Sequence, residues 1–330
     1  MHKWIHRSMF TASAAAVTLL AACGGGTDNE EETEDTESSA EETQEESSSD
    51  TVTYEGPNGS FNIPEDPQNI VVLAPSYVGY FLALDEKPIG ATTQALENPY
   101  FDEEMTEGIE DLGDGTSVEQ VLSLEPDLIV TLSSDENLEQ LQDVAPTVTI
   151  DYGQLPFKEQ LQEFGTMTGE EEAAEEWITE WDSSIEENRA SVEESVGDRT
   201  ISLIQPFEKG VYVFGNTFAR GGEIIYDEFG LSAPEAVQED AIDSGEGFVN
   251  VSLEALDDYA GDIIFTSPWQ ESETGSADEV YESNVWQNLP AVEEDNVYEL
   301  DTAASFFNDP VSLESQLDFV VESLEASAEE

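Results

Sequence analysis

The segment Ser117–Thr131 can be laid on Ser252–Thr266 without a gap, with Ser, Glu, Asp, Ile and Thr falling at the same five positions. Each copy opens on a serine that suits a helix N-cap, with Glu119 or Glu254 in the first turn, where the helix dipole favours a carboxylate. Pro126 or Gly261 then stops the helix and an apolar strand follows. A chain that carries this helix-then-strand unit twice is constrained toward two α/β lobes. Unrelated helix-strand units share the same local cues, so the match alone leaves duplication and coincidence both open.

Further apolar runs read as buried strands at Ile70–Ala74, Thr147–Ile150, Thr200–Ile204, Val211–Phe214 and Val297–Leu300. Helical or turn-rich stretches separate them, which gives an α/β fold class with Rossmann-like lobes. Between the halves, Gly169 to Gly197 contains no internal Gly or Pro and predicts one helix about 40 Å long. Trp177, Ile178, Trp181 and Ile185 fall at helical spacing on one face. Such a helix is either a surface element of one domain or a rigid backbone joining two lobes.

The chain holds a single cysteine, Cys23. Ahead of it His2, Lys3, His6 and Arg7 precede an apolar run from Met9 to Leu20, the pattern of a signal peptide. That run, about 12 residues, is too short to span a bilayer. Leu20-Ala21-Ala22-Cys23 resembles the lipobox of bacterial lipoproteins, which implies cleavage before Cys23 and lipid on its sulfur. The alternative is an ordinary secreted protein cleaved near a chance cysteine. Thr27 to Asp50 is almost entirely Glu, Asp, Ser, Thr and Gln and predicts a disordered, self-repelling tether. The expected division is therefore signal peptide at 1–22, lipidated cysteine and tether at 23–57, first lobe at 58–168, interlobe helix at 169–197 and second lobe at 198–330.

Acidity extends through the whole chain, with 77 Asp plus Glu against 8 Lys plus Arg. Nucleic acid is excluded as a partner by this balance. Self-repulsion on that scale is relieved by concentrated salt, so a salt-rich exterior is expected. An acidic calcium buffer would need a D-x-D-x-D-G loop, which is missing. Both histidines, His2 and His6, precede the cleavage point. The mature chain then lacks the imidazole and free thiol that Ser-His-Asp, Cys-His and zinc chemistries require. Carboxylate chemistry or simple binding is left.

Several stretches carry a family resemblance: Asp66–Leu73, Leu84–Ala91, Asp111–Asp114, Glu125–Ile129, Ala145–Val148, Gly215–Tyr226 and Asn308–Pro310. Over roughly Phe61 to Leu324 the chain resembles the substrate-binding lipoproteins of iron-siderophore and cobalamin ABC importers. Within that family it is most similar to the ferric-hydroxamate receptors of Gram-positive bacteria. The resemblance implies two α/β lobes joined by one long rigid helix and a ligand cleft between them.

It also implies site residues. Tyr212, Phe218 and Arg220 match the segment in which an arginine bonds the hydroxamate oxygens around iron. Phe218 and Phe306 stand where the family usually has tryptophan, and Phe307 replaces a tyrosine. Tyr77, Tyr80 and Tyr100 are candidate walls from the first lobe, although tyrosines at strand ends also merely pack. Glu119 and Glu254 match the acidic pair that meets arginines of the permease, although capping electrostatics alone would also explain them.

Arg220 draws attention independently of the resemblance. In a chain that has kept so few cations, Lys87, Lys158, Arg189, Arg199, Lys209 and Arg220 each need a reason. Gly221 and Gly222 would let backbone approach a ligand, and Phe218 would stack beside it. A salt bridge among the many carboxylates is the bland alternative. One arginine suits a neutral or weakly cationic ferric trihydroxamate, whereas anionic catecholates or ferric citrate would need more cations against an acidic protein.

The expectation is a monomeric, lipid-anchored receptor on the outer face of a bacterial cytoplasmic membrane, passing a ferric hydroxamate siderophore to an ABC importer permease. It needs no cofactor and no protein metal ligand, because the siderophore fills the iron shell, and it catalyses nothing. The same receptor for another iron chelate, haem or cobalamin is the nearest alternative. A secreted carboxylate-dependent glycan hydrolase and an adhesive lipoprotein are more distant ones.

Overall fold

The first described residue, Thr51, already lies in a strand, inside the stretch expected to be tether. A computed structural model describes residues 51–207, 210–268 and 277–327; the signal peptide, Cys23, the tether as far as Asp50 and Lys209 lie outside them. Strand β1 (Thr51–Gly56) pairs antiparallel with β2 (Gly59–Pro64), Thr51 opposite Pro64. The acidic composition hides this strand, but Thr51 to Tyr54 are mostly β-branched or aromatic. Tyr54 is buried and its hydroxyl donates to Glu163 Oε2 at 2.7 Å, which ties the hairpin to the first lobe.

The first lobe contains β3 (Ile70–Val72), β4 (Gly90–Ala91), β5 (Glu110–Asp111), β6 (Leu128–Thr131) and β7 (Thr147–Thr149). They form a parallel sheet in the order β5-β4-β3-β6-β7. The second lobe contains β8 (Ile201–Phe207), β9 (Gly210–Phe214), β10 (Phe248–Ser252), β11 (Ile263–Thr266) and β12 (Val297–Glu299). Its order is β10-β9-β8-β11-β12, with β8, β11 and β12 parallel and β9 and β10 antiparallel to their neighbours. Side chains alternate across each sheet. Ile70 and Val72 join one cluster and Val71 another, while Ile263 and Phe265 part from Ile264 in the same way. Apolar residues at every strand position are what a sheet covered on both faces needs.

The repeat lands on equivalent places. Its first copy becomes the helix Val118–Ser123 and β6; its second becomes the 3-10 helix Leu253–Asp258 and β11. Each strand lies beside the first strand of its lobe, β3 or β8. Ser117 caps its helix by accepting from Gln120 N, whereas the Ser252 side chain makes no such cap bond. The shared aspartate has a shared task. Asp127 accepts from the backbone N–H groups of Gln68 and Asn69, both at 2.9 Å, just ahead of β3. Asp262 accepts from Thr200 N at 2.8 Å, just ahead of β8.

The helix Glu171–Val196 has 26 residues and spans about 39 Å. Gly169 and Gly197, at φ 80° and 61°, bound it. Trp177, Trp181 and Ile185 are buried on its inner face, where Trp177 stacks on Trp181 at 5.5 Å, and Ile178 sits half-buried at the margin. A second element also joins the halves. The C-terminal helix Pro310–Ala326, taken with the second lobe in the sequence reading, packs against the helix Val78–Ala83 of the first lobe and along the long helix. Gly79 makes this contact feasible, because a Cβ there would lie 1.8 Å from Asp309 Oδ1. One apolar cluster consequently runs from Phe81 and Phe164 through Trp181 and Val192 to Leu203, Phe265 and Leu313. Among the described residues no helix is long and apolar enough to cross a membrane.

Candidate functional site

In an open α/β sheet, chain order reverses where two neighbouring strands send their connections to opposite sides, and a crevice opens at their C-terminal ends. In the first lobe that point lies between β3 and β6. Pro75, Ser76 and Tyr77 follow β3, Leu132 follows β6 and Tyr152 comes soon after β7. All five line a cavity of ≈ 260 Å³, with Ala74 and Gln94. The second lobe closes it with Arg220, Phe306 and Phe307. An adjoining hollow of ≈ 500 Å³ shares Pro75 and Gln94.

Among the described residues Arg220 is the one cation lining this cavity. Its guanidinium lies between two rings, 4.1 Å from the centroid of Phe214 and 4.3 Å from that of Phe306. Nη1 donates to the Phe218 carbonyl at 2.9 Å and Nη2 to Gln205 Oε1 at 3.0 Å. Nε is buried and has no hydrogen-bond partner among the described residues. The ion pairs formed among those residues belong to Lys158 and Arg189. Arg220 therefore does not follow the salt-bridge alternative. Burial lowers it to about 10, offset by the negative ends of Tyr152 and Glu223, so it stays charged at neutral pH. A desolvated cation with donor capacity to spare, walled by aromatic rings, can bond the oxygens of a ligand that carries no strong positive charge.

The loop is built for this placement. Ala219, Arg220 and Gly221 all take positive φ, at 63°, 59° and 80°. The glycines act differently from the expectation. Gly221 supplies the left-handed turn, and Gly222 packs against the chain itself, since a Cβ there would lie 2.1 Å from the Gly215 carbonyl oxygen. Neither residue is among those lining the cavity.

The other expected site residues divide. Tyr77, Phe306 and Phe307 line the cavity with Arg220, and the Tyr77 hydroxyl donates to the Ile150 carbonyl, which leaves its ring as the wall. Phe218 lies beside the cavity, where its ring meets Tyr152 of the first lobe at 5.3 Å and Phe248 at 5.5 Å. Tyr212 on β9 stacks on Phe207 at 4.7 Å and is not part of the lining. Tyr80 is buried as an interlobe contact, its hydroxyl donating to the Asn308 carbonyl at 3.3 Å. Tyr100 is half-buried outside the lining, where burial and the nearby Asp301 raise its phenol. Glu119 and Glu254 are exposed at the starts of the two repeat helices and are not among the lining residues.

Sequence reasoning missed Tyr152, Gln205 and Phe214. Tyr152 follows a strand just as Tyr77 does, so the same cue would have found it. Gln205 follows Ile201 to Ile204 within β8 and is fully buried, accepting from Arg220 and donating to Ser267 Oγ at 3.3 Å.

Comparison with known proteins gives a consistent answer. Residues 70–304 match the family model described as periplasmic binding protein. The chain is 44% identical over 277 residues to the iron(3+)-hydroxamate-binding protein FhuD of Bacillus subtilis, covering 84% of this chain and 87% of that protein. A FhuD-fold crystal structure from Bacillus subtilis, described as the binding component of a Fep/Fec-like ferrichrome ABC transporter, superposes with a TM-score of 0.76 at 44% identity. It covers 82% of this chain and 99% of its own. FhuD2 of Staphylococcus aureus with bound ferrioxamine B superposes with a TM-score of 0.72 at 30% identity, covering 80% and 100%. The two-lobed α/β architecture, the matched length and these identities agree: the chain belongs to the periplasmic binding protein family.

Proposed function

We propose that this protein is the extracytoplasmic solute-binding component of an ABC importer and takes a ferric hydroxamate siderophore into the cleft between its lobes. The observation that carries this reading is Arg220, a buried, charged side chain set against Phe214 and Phe306 in the lining of the cavity. Hydroxamate oxygens around iron are acceptors that such a donor recognises, and the surrounding rings exclude water. The iron travels as cargo inside its chelator, and the protein performs no chemistry on it. Tyr77, Tyr152, Phe306 and Phe307 form the walls, with Phe218 at the margin. The lipid on Cys23 holds the chain, as a monomer, at the outer face of a Gram-positive cytoplasmic membrane in salt-rich surroundings. Glu119 and Glu254 meet the permease.

The test is calorimetric titration in molar KCl with ferrioxamine B, ferrichrome, a ferric catecholate, ferric citrate, haem and cobalamin. Saturable binding of the two hydroxamates alone, weakened in Arg220→Ala, is the expected result. Preference for another chelate would keep the receptor and replace its ligand. No binding by any of the six to a folded protein would remove the reading.

A further inference from the structure

The residues around Arg220 contain a carboxylate that the binding site does not itself use. Glu223 is 2% exposed, one turn beyond the arginine, at the start of the π-helical segment Glu223–Glu228. Its Oε1 accepts two hydrogen bonds, from Ala219 N at 3.0 Å and from Asn308 Nδ2 at 2.7 Å. Its Oε2 has no hydrogen-bond partner among the described residues.

These bonds fall where the backbone needs them. Two consecutive residues with side chains, Ala219 and Arg220, hold left-handed conformations, each costing about 1 kcal/mol or more unless surrounding bonds enforce it. Two contacts from outside the turn enforce them. One is the Glu223 carboxylate on Ala219 N; the other is the Ser305 carbonyl, which accepts from Arg220 N at 2.9 Å. Ser305 and Asn308 flank Phe306 and Phe307, so Glu223 joins the arginine loop to the loop that supplies the facing rings. Asn308 in turn accepts from Tyr80 of the first lobe through its carbonyl. Glu223 is thereby one bond from the interlobe contact and one bond from the turn that aims the arginine.

We infer that Glu223 is the positioning residue of the binding arginine: its buried carboxylate locks the Ala219–Arg220 turn to the Phe306–Phe307 loop and so presets Arg220 for the ligand. The inference rests on the proposed function for its meaning, but its geometry can be read without ligand.

The test uses the full chain in molar KCl. Its four arginines, Arg7, Arg189, Arg199 and Arg220, give a sparse Nε–Hε NMR spectrum, and Arg220→Lys assigns the Arg220 signal. Glu223→Ala is expected to displace that signal in the ligand-free protein, and Glu223→Gln, which keeps an oxygen for Ala219 N and Asn308, to restore it. Ferrioxamine B affinity should fall about tenfold or more in Glu223→Ala, stay within about threefold in Glu223→Gln, and lose its dependence on residue 223 in an Arg220→Ala background. An unmoved Arg220 signal in Glu223→Ala, or a loss of equal size with Arg220 already removed, overturns the inference. If Glu223→Ala does not fold, Asn308→Ala removes the other donor to the same oxygen and carries the same expectation and the same refutation. A shifted signal in a protein that binds no hydroxamate would retire the proposed ligand and leave the positioning role standing.

Discussion

Gln205 Oε1 accepts from Arg220 Nη2 at 3.0 Å, while its amide nitrogen donates to Ser267 Oγ. A buried amide so bonded orients the guanidinium. Gln205→Leu has nearly the same volume but leaves that donor and the Ser267 hydroxyl unanswered. Since a hydrogen bond to a charged group contributes about 1.5–3 kcal/mol, ferric hydroxamate affinity should drop about tenfold or more, read by calorimetry. Unchanged affinity would mean that the aromatic sandwich alone positions Arg220.

Two buried carboxyls give stability an unusual pH dependence. Burial pushes Glu223 up to about 7, and burial likewise pushes Asp309 up to about 6 although Asp309 caps the C-terminal helix through Ser312. Both folded values lie above those of an unfolded chain, so the stabilisation is full below about pH 4 and is lost as pH rises through about 6 and about 7. Each group contributes on the order of 3 kcal/mol across that window. Hydrogen bonding lowers Asp111, Asp114 and Glu254, which runs the other way, but these groups are fully exposed and screened. Urea unfolding in molar salt should show a higher midpoint at pH 5 than at pH 8, with the difference reduced in Asp309→Asn. A midpoint that climbs with pH would contradict the assignment.

How much of this was legible beforehand depended on the range of the interaction. The repeat was visible because an N-cap serine, a first-turn glutamate and a helix stop are local signals, but what Asp127 and Asp262 hold could not be read, since each partner lies some 60 residues away. Arg220, Phe306, Phe307 and Tyr77 came from motif and strand-end cues and meet in the cavity. Tyr80 and Tyr212 carried equal cues and turned elsewhere, one to the Asn308 carbonyl and one onto Phe207. Which way a tyrosine faces is decided by the lobe it packs against. Strand β1 was hidden because acidic composition on its N-terminal side outweighed a short β-branched run.

Salt should be a structural requirement. With 77 acids against 8 basic residues, repulsion acts over a Debye length of about 10 Å at 0.1 M but only about 3 Å at 1 M. The thermal midpoint, followed by far-ultraviolet circular dichroism, is expected to rise by more than about 10 °C from 0.1 M to 2 M KCl. A midpoint indifferent to salt would show that the charges are already accommodated by spacing.

Docking is separable from ligand binding. Glu119 and Glu254 are exposed and take no part in the cavity lining. The double change Glu119→Arg with Glu254→Arg should leave ferrioxamine B affinity within about twofold while cutting iron uptake by cells about tenfold or more, by loss of charge complementarity. Normal uptake by the double variant would sink the docking assignment.

The helix Glu171–Val196 stands between the two copies of the repeat, unbroken by any glycine or proline along its 26 residues. It serves the molecule as a yardstick. The separation of Ser117–Thr131 from Ser252–Thr266 is gauged in advance by a rod of fixed length. A surface that engaged both copies at once would meet a calibrated span.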